Sequence, residues 1–197
     1  FNSMIEKEKK LDVDAHVTTV LFNDQYKMLY NRRELKDVSK MTDKDYTPGG
    51  MTALLDAVGR TIHKMDMVAG IHRKDKGNKV LFVIITDGEE NDSKEYTYAD
   101  VKKLIKDRQE NAGWEFIFLG ANIDAAAAAE NLGIDRDRAV KYKNTGSGVR
   151  ANFKAVAELS DSLAKSGRVS DEWKETVEKD EDDAADKQSA AVTLHRR

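Results

Sequence analysis

The sequence predicts an α/β fold in which a mostly parallel sheet, with an antiparallel edge strand, is covered by helices on both faces. Residues 80–85 (VLFVII) form an unbroken apolar run without polar alternation. Such a run is too short for a typical helix and indicates a strand buried on both faces. A second, largely apolar run covers residues 114–119 (WEFIFL). Segments with helical spacing separate the predicted strands, and this alternation favours a parallel sheet.

Composition limits the classes of function. A chain of 197 residues is most simply one domain, and a net charge of −3 does not favour binding to nucleic acid or to an anionic membrane. The absence of cysteine excludes disulfides and thiolate metal sites. No apolar run reaches the roughly 18–20 residues that cross a bilayer. We expect a cytoplasmic protein, although a removed signal peptide stays open because the sequence begins at Phe1.

The first part of the sequence predicts a helix and a hairpin. Residues 1–11 (FNSMIEKEKKL) have the apolar spacing of an amphipathic helix. The β-branched residues of 15–23 predict a strand. Asn23-Asp24 then suits a hairpin turn, and we expect residues 25–29 to form the antiparallel edge strand.

A loop with unusual backbone angles is predicted before the next helix. The polar residues 31–45 lead to Pro48, the only proline, and Gly49-Gly50 follows it directly. This composition is typical of a tight turn. Residues 53–67 then keep the apolar spacing of a helix.

The second half of the sequence alternates helices and strands. Thr97 and Asp100 have the spacing of an acidic capping box, and Gly113 is a typical residue to end the helix that it starts. After this helix and the strand at 114–119 we expect an alanine-rich helix at 124–132, a short strand at 138–142 and a final helix from 149 to about 167.

The end of the sequence has a different character. Periodic apolar spacing stops at Arg168, and residues 178–186 (EKDEDDAAD) are acidic with little to bury. We therefore expect a domain over 1–167, followed by a flexible acidic tail over 168–197 with a fragment of helix around Trp173.

Two oxygen-bearing residues are predicted to meet at one edge of the sheet. Asp87 directly follows the strand at 80–85, and Thr52 follows Gly49-Gly50-Met51 at the start of a helix. Ligands of open α/β sheets bind at the carboxyl ends of the strands. A hydroxyl and a carboxylate suit a hard cation such as Mg²⁺. Thr52 also suits a helix N-cap and Asp87 a turn, so the pair alone is a weak signal.

Five segments resemble a von Willebrand factor A domain of the bacterial and phage type. They are residues 1–6 (FNSMIE), 19–22 (TVLF), 49–57 (GGMTALLDA), 83–91 (VIITDGEEN) and 114–122 (WEFIFLGAN). The resemblance extends to about residue 164. It implies a Rossmann-like three-layer sandwich and a metal-ion-dependent adhesion site, where Mg²⁺ or Mn²⁺ joins protein oxygens to a carboxylate of a protein partner.

The resemblance also assigns roles to residues. It implies that Thr52 and Asp87 are metal ligands, and that the partner-binding rim consists of Gly50, Met51, Gly88 and Glu89. The family's first strand ends in an Asp-x-Ser-x-Ser motif that supplies the other ligands, and this sequence lacks both the motif and the strand. We expect the sequence to be a fragment, because an empty slot would leave strand edges unpaired in the interior. The alternatives to a fragment are that another chain, or the tail of this one, fills the slot of the first strand.

These observations favour a binding module over an enzyme. The first hypothesis is docking of a protein partner, through its acidic side chain, to a cation at Thr52 and Asp87, with no catalytic step. The alternative is a metal-independent scaffold that accepts a strand, for example from another chain, in its open slot. A Mg-dependent nucleotide-binding enzyme is less favoured, since the sequence contains no GxxxxGK[ST] loop. We expect neither a nucleic-acid partner nor a membrane partner.

Overall fold

The computed structural model describes residues 1–10, 14–47, 49–71, 79–169 and 171–179. Within these ranges the chain is a mixed α/β fold with two separate sheets. Its elements are α1 (Asn2–Glu8), β1 (His16–Phe22), β2 (Tyr26–Glu34), α2 (Leu54–Ile71), β3 (Leu81–Thr86), α3 (Tyr98–Ala112), β4 (Glu115–Gly120), α4 (Ala125–Leu132), β5 (Ala139–Lys141) and α5 (Gly146–Ser166). Single 3₁₀ turns cover Leu35–Asp37 and Arg136–Arg138, and residues 173–179 are helical.

Strands β3, β4 and β5 form a parallel sheet with β4 in the middle. An apolar run of this kind favours a middle position in a parallel sheet, but β3 lies at an edge of the described sheet and buries only Ile84 and Thr86. Both of its faces are nevertheless covered by helices, as predicted. Phe82 and Ile84 pack with α2, whereas Val83 and Ile85 pack with α5.

The hairpin β1–β2 forms an antiparallel sheet of its own, so among the described strands the predicted antiparallel strand does not form an edge of the parallel sheet. The turn is confirmed at Asn23, whose Oδ1 accepts a hydrogen bond from the backbone N–H of Gln25 at 2.7 Å. Strand β2 is longer than predicted, because its polar end continues to pair with β1 until Glu34 lies opposite His16. A strand with one exposed face accommodates such polar residues.

The ends of the long helices follow the predicted signals. Thr97 and Asp100 form the reciprocal capping box of α3, and Gly113 ends this helix at φ +65°. Gly167 ends α5 in the same left-handed conformation, at φ +74°. No helix in the described ranges is both long and apolar enough to span a membrane.

Part of the predicted tail packs against the fold. Trp173 and Val177 are each only 2% exposed and lie in one cluster with Val140 and Leu159. The helix around Trp173 is thus confirmed. The apolar side chains of this segment are buried, which differs from the flexible tail that we expected over 168–197. Residues 180–197, which hold most of the acidic stretch, lie outside the described residues.

Helix α1 connects the hairpin to α5. Ile5 packs with Leu35 and Val38 beside the hairpin. Three residues after Ile5, Glu8 is 7% exposed, and its Oε2 accepts a hydrogen bond from Ser160 Oγ of α5 at 2.9 Å. The contact with α5 therefore includes a buried carboxylate.

Candidate functional site

Three loops meet at the carboxyl edge of the parallel sheet. Asp87 and Gly88 follow β3, Asn122 follows β4, and Asn144 lies between β5 and α5. The Nδ2 of Asn144 donates to Asp87 Oδ2 at 3.2 Å, and the Nδ2 of Asn122 donates to the backbone oxygen of Asp87 at 3.4 Å. Two asparagines from neighbouring loops thus hold Asp87 in position.

Thr52 lies beside this cluster. Its Oγ1 is 3.1 Å from the position that a Cβ would take at Gly88, the residue after Asp87. Its backbone N–H donates to Asn91 Oδ1 at 2.8 Å, and its carbonyl accepts from the Asn91 N–H at 3.0 Å. The structure therefore brings the two predicted metal ligands, Thr52 and Asp87, onto adjoining loops at one edge.

The glycine loop before Thr52 has the unusual backbone angles that its sequence predicts. Gly49 and Gly50 have φ values of +127° and +93°. A Cβ at Gly50 would lie 2.7 Å from Asp24 Oδ1 and 2.8 Å from Asn23 Nδ2 of the hairpin turn, and its positive φ is a conformation that favours glycine. Pro48 lies outside the described residues.

The acidic residues after Gly88 differ in direction. Glu89 is exposed, whereas Glu90 points at the first turn of α2 and accepts from the Leu55 N–H at 3.0 Å. Its neighbour Ser93 donates to Glu90 Oε2 at 2.7 Å and accepts from the Asp56 N–H at 3.1 Å. Glu90 and Ser93 therefore cap α2 and place a negative charge at its N-terminus.

Asp56 anchors the next part of this loop. It is 6% exposed, and its carboxylate accepts the backbone N–H groups of Lys94, Glu95 and Tyr96 at 3.0, 2.9 and 2.9 Å. Burial alone would raise the pKa of Asp56, but these hydrogen bonds and the Arg60 guanidinium lower it below its usual range. The Asp56 carboxylate thus holds the backbone of residues 94–96 in place.

The predicted rim residues surround Thr52. Gly50 and Glu89 are exposed, Gly88 is half-buried and Met51 is 49% exposed. They belong to the glycine loop and to the loop after β3, so the structure brings all four to the edge where Asp87 lies.

Sequence reasoning missed several residues at this edge. Asn122 and Asn144 were not predicted, although both follow predicted strands. Tyr142 was also missed: it is buried, and burial together with the charge of Asp87 and the phenol of Tyr46 raises its pKa to about 12. A neutral phenol therefore lies near the Asp87 carboxylate.

An open groove of about 660 Å³ adjoins this site. Glu89, Lys141 and Glu178 line it, together with Asn122. The side of the site next to β5 is therefore a charged cleft.

The described part of the chain contains no group of three or more histidine, aspartate and glutamate residues arranged to hold a metal ion. A cation at Thr52 and Asp87 would therefore depend on hydroxyl, amide and water oxygens in addition to one carboxylate.

No protein-family model matches the chain, and no curated protein matches it. The fold and the edge described above therefore define a mixed α/β chain with a polar site at the carboxyl ends of its parallel strands.

Proposed function

We propose that this chain is a protein-binding module of the von Willebrand A type, which docks an acidic side chain of a protein partner through Mg²⁺ or Mn²⁺ held by Thr52 and Asp87. The main support is the place of Thr52 Oγ1, 3.1 Å from a Cβ position on Gly88, directly after Asp87. The resemblance implies this same pair as ligands. We include in the proposal that the two sheets belong to one Rossmann-like three-layer sandwich.

The residues present fit a hard cation in part. Asp87 is exposed, and Asn144 engages one of its two carboxylate oxygens. Thr52 contributes a neutral hydroxyl. Mg²⁺ prefers octahedral oxygen coordination, so these two residues leave most positions to water, to the partner and to ligands from outside the described residues. We therefore expect weak cation binding by this chain alone.

The negative charge at this edge means that binding of an acidic partner should depend on a cation. Asp87 and Glu89 are exposed, and in the adjoining groove the carboxylates of Glu89, Asp124 and Glu178 outnumber the one lysine, Lys141. These carboxylates would repel an acidic partner, because like charges across an interface oppose association. A bound cation would supply the positive charge that an acidic side chain needs at this place.

A metal-independent scaffold is the second candidate, and a strand edge without a paired neighbour among the described strands supports it. Phe22 at the end of β1 and Ile84 in β3 pack in one cluster with Leu54 of α2. The two strands nevertheless belong to different sheets, and β3 has β4 as its one paired neighbour among the described strands. A free strand edge accepts an extended peptide through backbone hydrogen bonds, and such binding would not require a cation.

Calorimetric titration with Mg²⁺ and Mn²⁺ tests the first proposal. We expect saturable binding by the chain that is abolished in Asp87→Ala and weakened in Thr52→Val, which removes the hydroxyl and keeps the side-chain shape. Asp137→Ala is the matched control, since Asp137 is exposed and precedes β5 at the opposite end of this strand. It should bind like the unchanged chain.

Equal heats for the unchanged chain and Asp87→Ala would contradict a cation site at this edge and would favour the scaffold. An added N-terminal segment that contains Asp-x-Ser-x-Ser should strengthen binding if the first proposal is correct. Unchanged binding by this extended chain would show that the slot does not complete the site.

A further inference from the structure

We propose that Tyr46, Met51 and Tyr98 form an apolar docking rim around the site, which selects a partner segment whose acidic residue is flanked by apolar side chains. The inference rests on the proposed function, because the acidic residue is the one that a cation at Thr52 and Asp87 would hold. It adds the chemistry of the residues beside that acid.

The first argument is the distribution of exposed apolar residues. Among the described residues, the exposed large hydrophobic side chains are Tyr46 (53%), Met51 (49%), Met67 (73%) and Tyr98 (42%). Single exposed hydrophobic residues are common and need no explanation. Tyr46, Met51 and Tyr98 lie on segments near the carboxyl edge. Met67 does not, because α2 begins at that edge and Met67 lies near the other end of this helix. Tyrosine and methionine are also enriched in protein interfaces.

The second argument is the position of each side chain relative to Asp87. Met51 directly precedes Thr52. Tyr46 lies on the loop that leads to Gly49 and follows Asp45, whose backbone oxygen accepts a hydrogen bond from Lys27 Nζ of the hairpin at 3.1 Å. Tyr98 is the first residue of α3, the helix that follows the loop after β3. The rim therefore borders both the glycine loop and the loop that follows β3.

The third argument is that two rim residues stand on well-held backbone. Met51 lies between Gly50, which packs against the hairpin turn, and Thr52, which makes two backbone hydrogen bonds to Asn91. Tyr98 follows Thr97, the N-cap residue of the α3 capping box. Side chains on a backbone that is already ordered lose less entropy on binding, so they suit anchoring contacts.

Charge then narrows the partner further. Glu89 is exposed on the loop after β3, and the adjoining groove is lined by the carboxylates of Glu89, Asp124 and Glu178 against one lysine, Lys141. A polyacidic segment would meet repulsion beyond the one acid that a cation neutralises. A segment with one acidic residue between apolar neighbours can contact the apolar rim and bind the cation without adding further negative charge.

Selection from a display library of short random peptides with a fixed central glutamate tests this inference. The full chain serves as target in the presence of Mg²⁺, and a second selection in EDTA tests the role of the cation. The variants are Tyr46→Ala, Met51→Ala and Tyr98→Ala, with Met67→Ala as the matched control for loss of an exposed apolar side chain. Circular dichroism checks that each variant is folded.

We expect Leu, Ile, Phe and Met to be enriched beside the glutamate, and selected peptides to bind about 10-fold or more weakly to each rim variant but equally to Met67→Ala. Peptides that require Mg²⁺ and Asp87 but have no apolar preference would refute the rim and leave the proposed function in place. Apolar peptides that lose affinity in the rim variants, and bind equally in EDTA and to Asp87→Ala, would support the rim and refute the cation. Failure to enrich any peptide would refute the rim.

Discussion

Replacement of Asp56 should destabilise the fold more than replacement of any exposed aspartate. Asp56→Ala removes the acceptor of three backbone N–H groups, those of Lys94, Glu95 and Tyr96. A hydrogen bond to a charged group contributes about 1.5–3 kcal/mol. In the variant, however, water can accept hydrogen bonds from the N–H groups of Lys94 and Glu95, because these residues are exposed. We therefore expect a loss of about 3–5 kcal/mol in the free energy of unfolding, out of the roughly 5–15 kcal/mol typical of a domain.

Urea unfolding, followed by the fluorescence of Trp114 and Trp173, measures this loss. Asp137→Ala is the control, because the Asp137 side chain is 92% exposed, and we expect it to stay within about 0.5 kcal/mol of the unchanged chain. A loss below about 1 kcal/mol for Asp56→Ala would refute the reasoning, since it would show that the loop amides do not depend on this carboxylate.

The effect should also depend on pH in a defined direction. The pKa of Asp56 in the folded chain lies below its usual value, because the hydrogen bonds and Arg60 outweigh the opposing effect of burial. The charge therefore stabilises the fold above the unfolded pKa of about 3.9, and this contribution is lost as the pH falls through the folded pKa. The stability difference between the unchanged chain and Asp56→Asn should shrink in acid, and a difference that stays constant would contradict the assigned cause.

Two further predictions concern the helices around α5. Trp173→Ala should reduce the free energy of unfolding by about 3–5 kcal/mol, because the side chain is 2% exposed; a small change in urea unfolding would show that residues 171–179 do not pack as described. Burial raises the pKa of Glu8, against the opposing hydrogen bond from Ser160, so its charged form opposes folding above the unfolded pKa. Thermal unfolding should therefore show the unchanged chain gaining stability relative to Glu8→Gln as the pH is lowered from neutral towards the unfolded pKa, and a difference that does not vary with pH would contradict this cause.

Local patterns predict the elements of this fold well, and long-range order poorly. The capping box of Thr97 and Asp100 and the terminal Gly113 act within a few residues, so their roles follow from spacing alone. An apolar run, by contrast, shows that both faces of a strand are covered but not how many strands pair with it. The runs at 80–85 and 114–119 look alike in this respect, yet only the second becomes the middle strand of the described parallel sheet.

The site was predictable as far as topology determines it. Asp87 and Thr52 lie on adjoining loops because one follows a parallel strand and the other precedes a helix that begins at the same edge. Asn144 could not be predicted, because it lies 57 residues from Asp87 in the sequence. It also precedes the N-cap Thr145, where asparagine is an ordinary turn residue. Such a contact depends on the order of β3, β4 and β5, which periodicity does not contain.

The acidic loop after Asp87 shows how the same residue type can serve two purposes. Glu89 and Glu90 are adjacent and identical, but only Glu90 lies within hydrogen-bond distance of the free amides of α2. Together with Asn91, which binds both backbone groups of Thr52, it fastens the loop that carries Asp87 to the segment that carries Thr52. The two proposed ligands are thus held near each other by the cap of a helix, without a metal ion. A site ordered in this way loses little entropy when a cation or a partner binds.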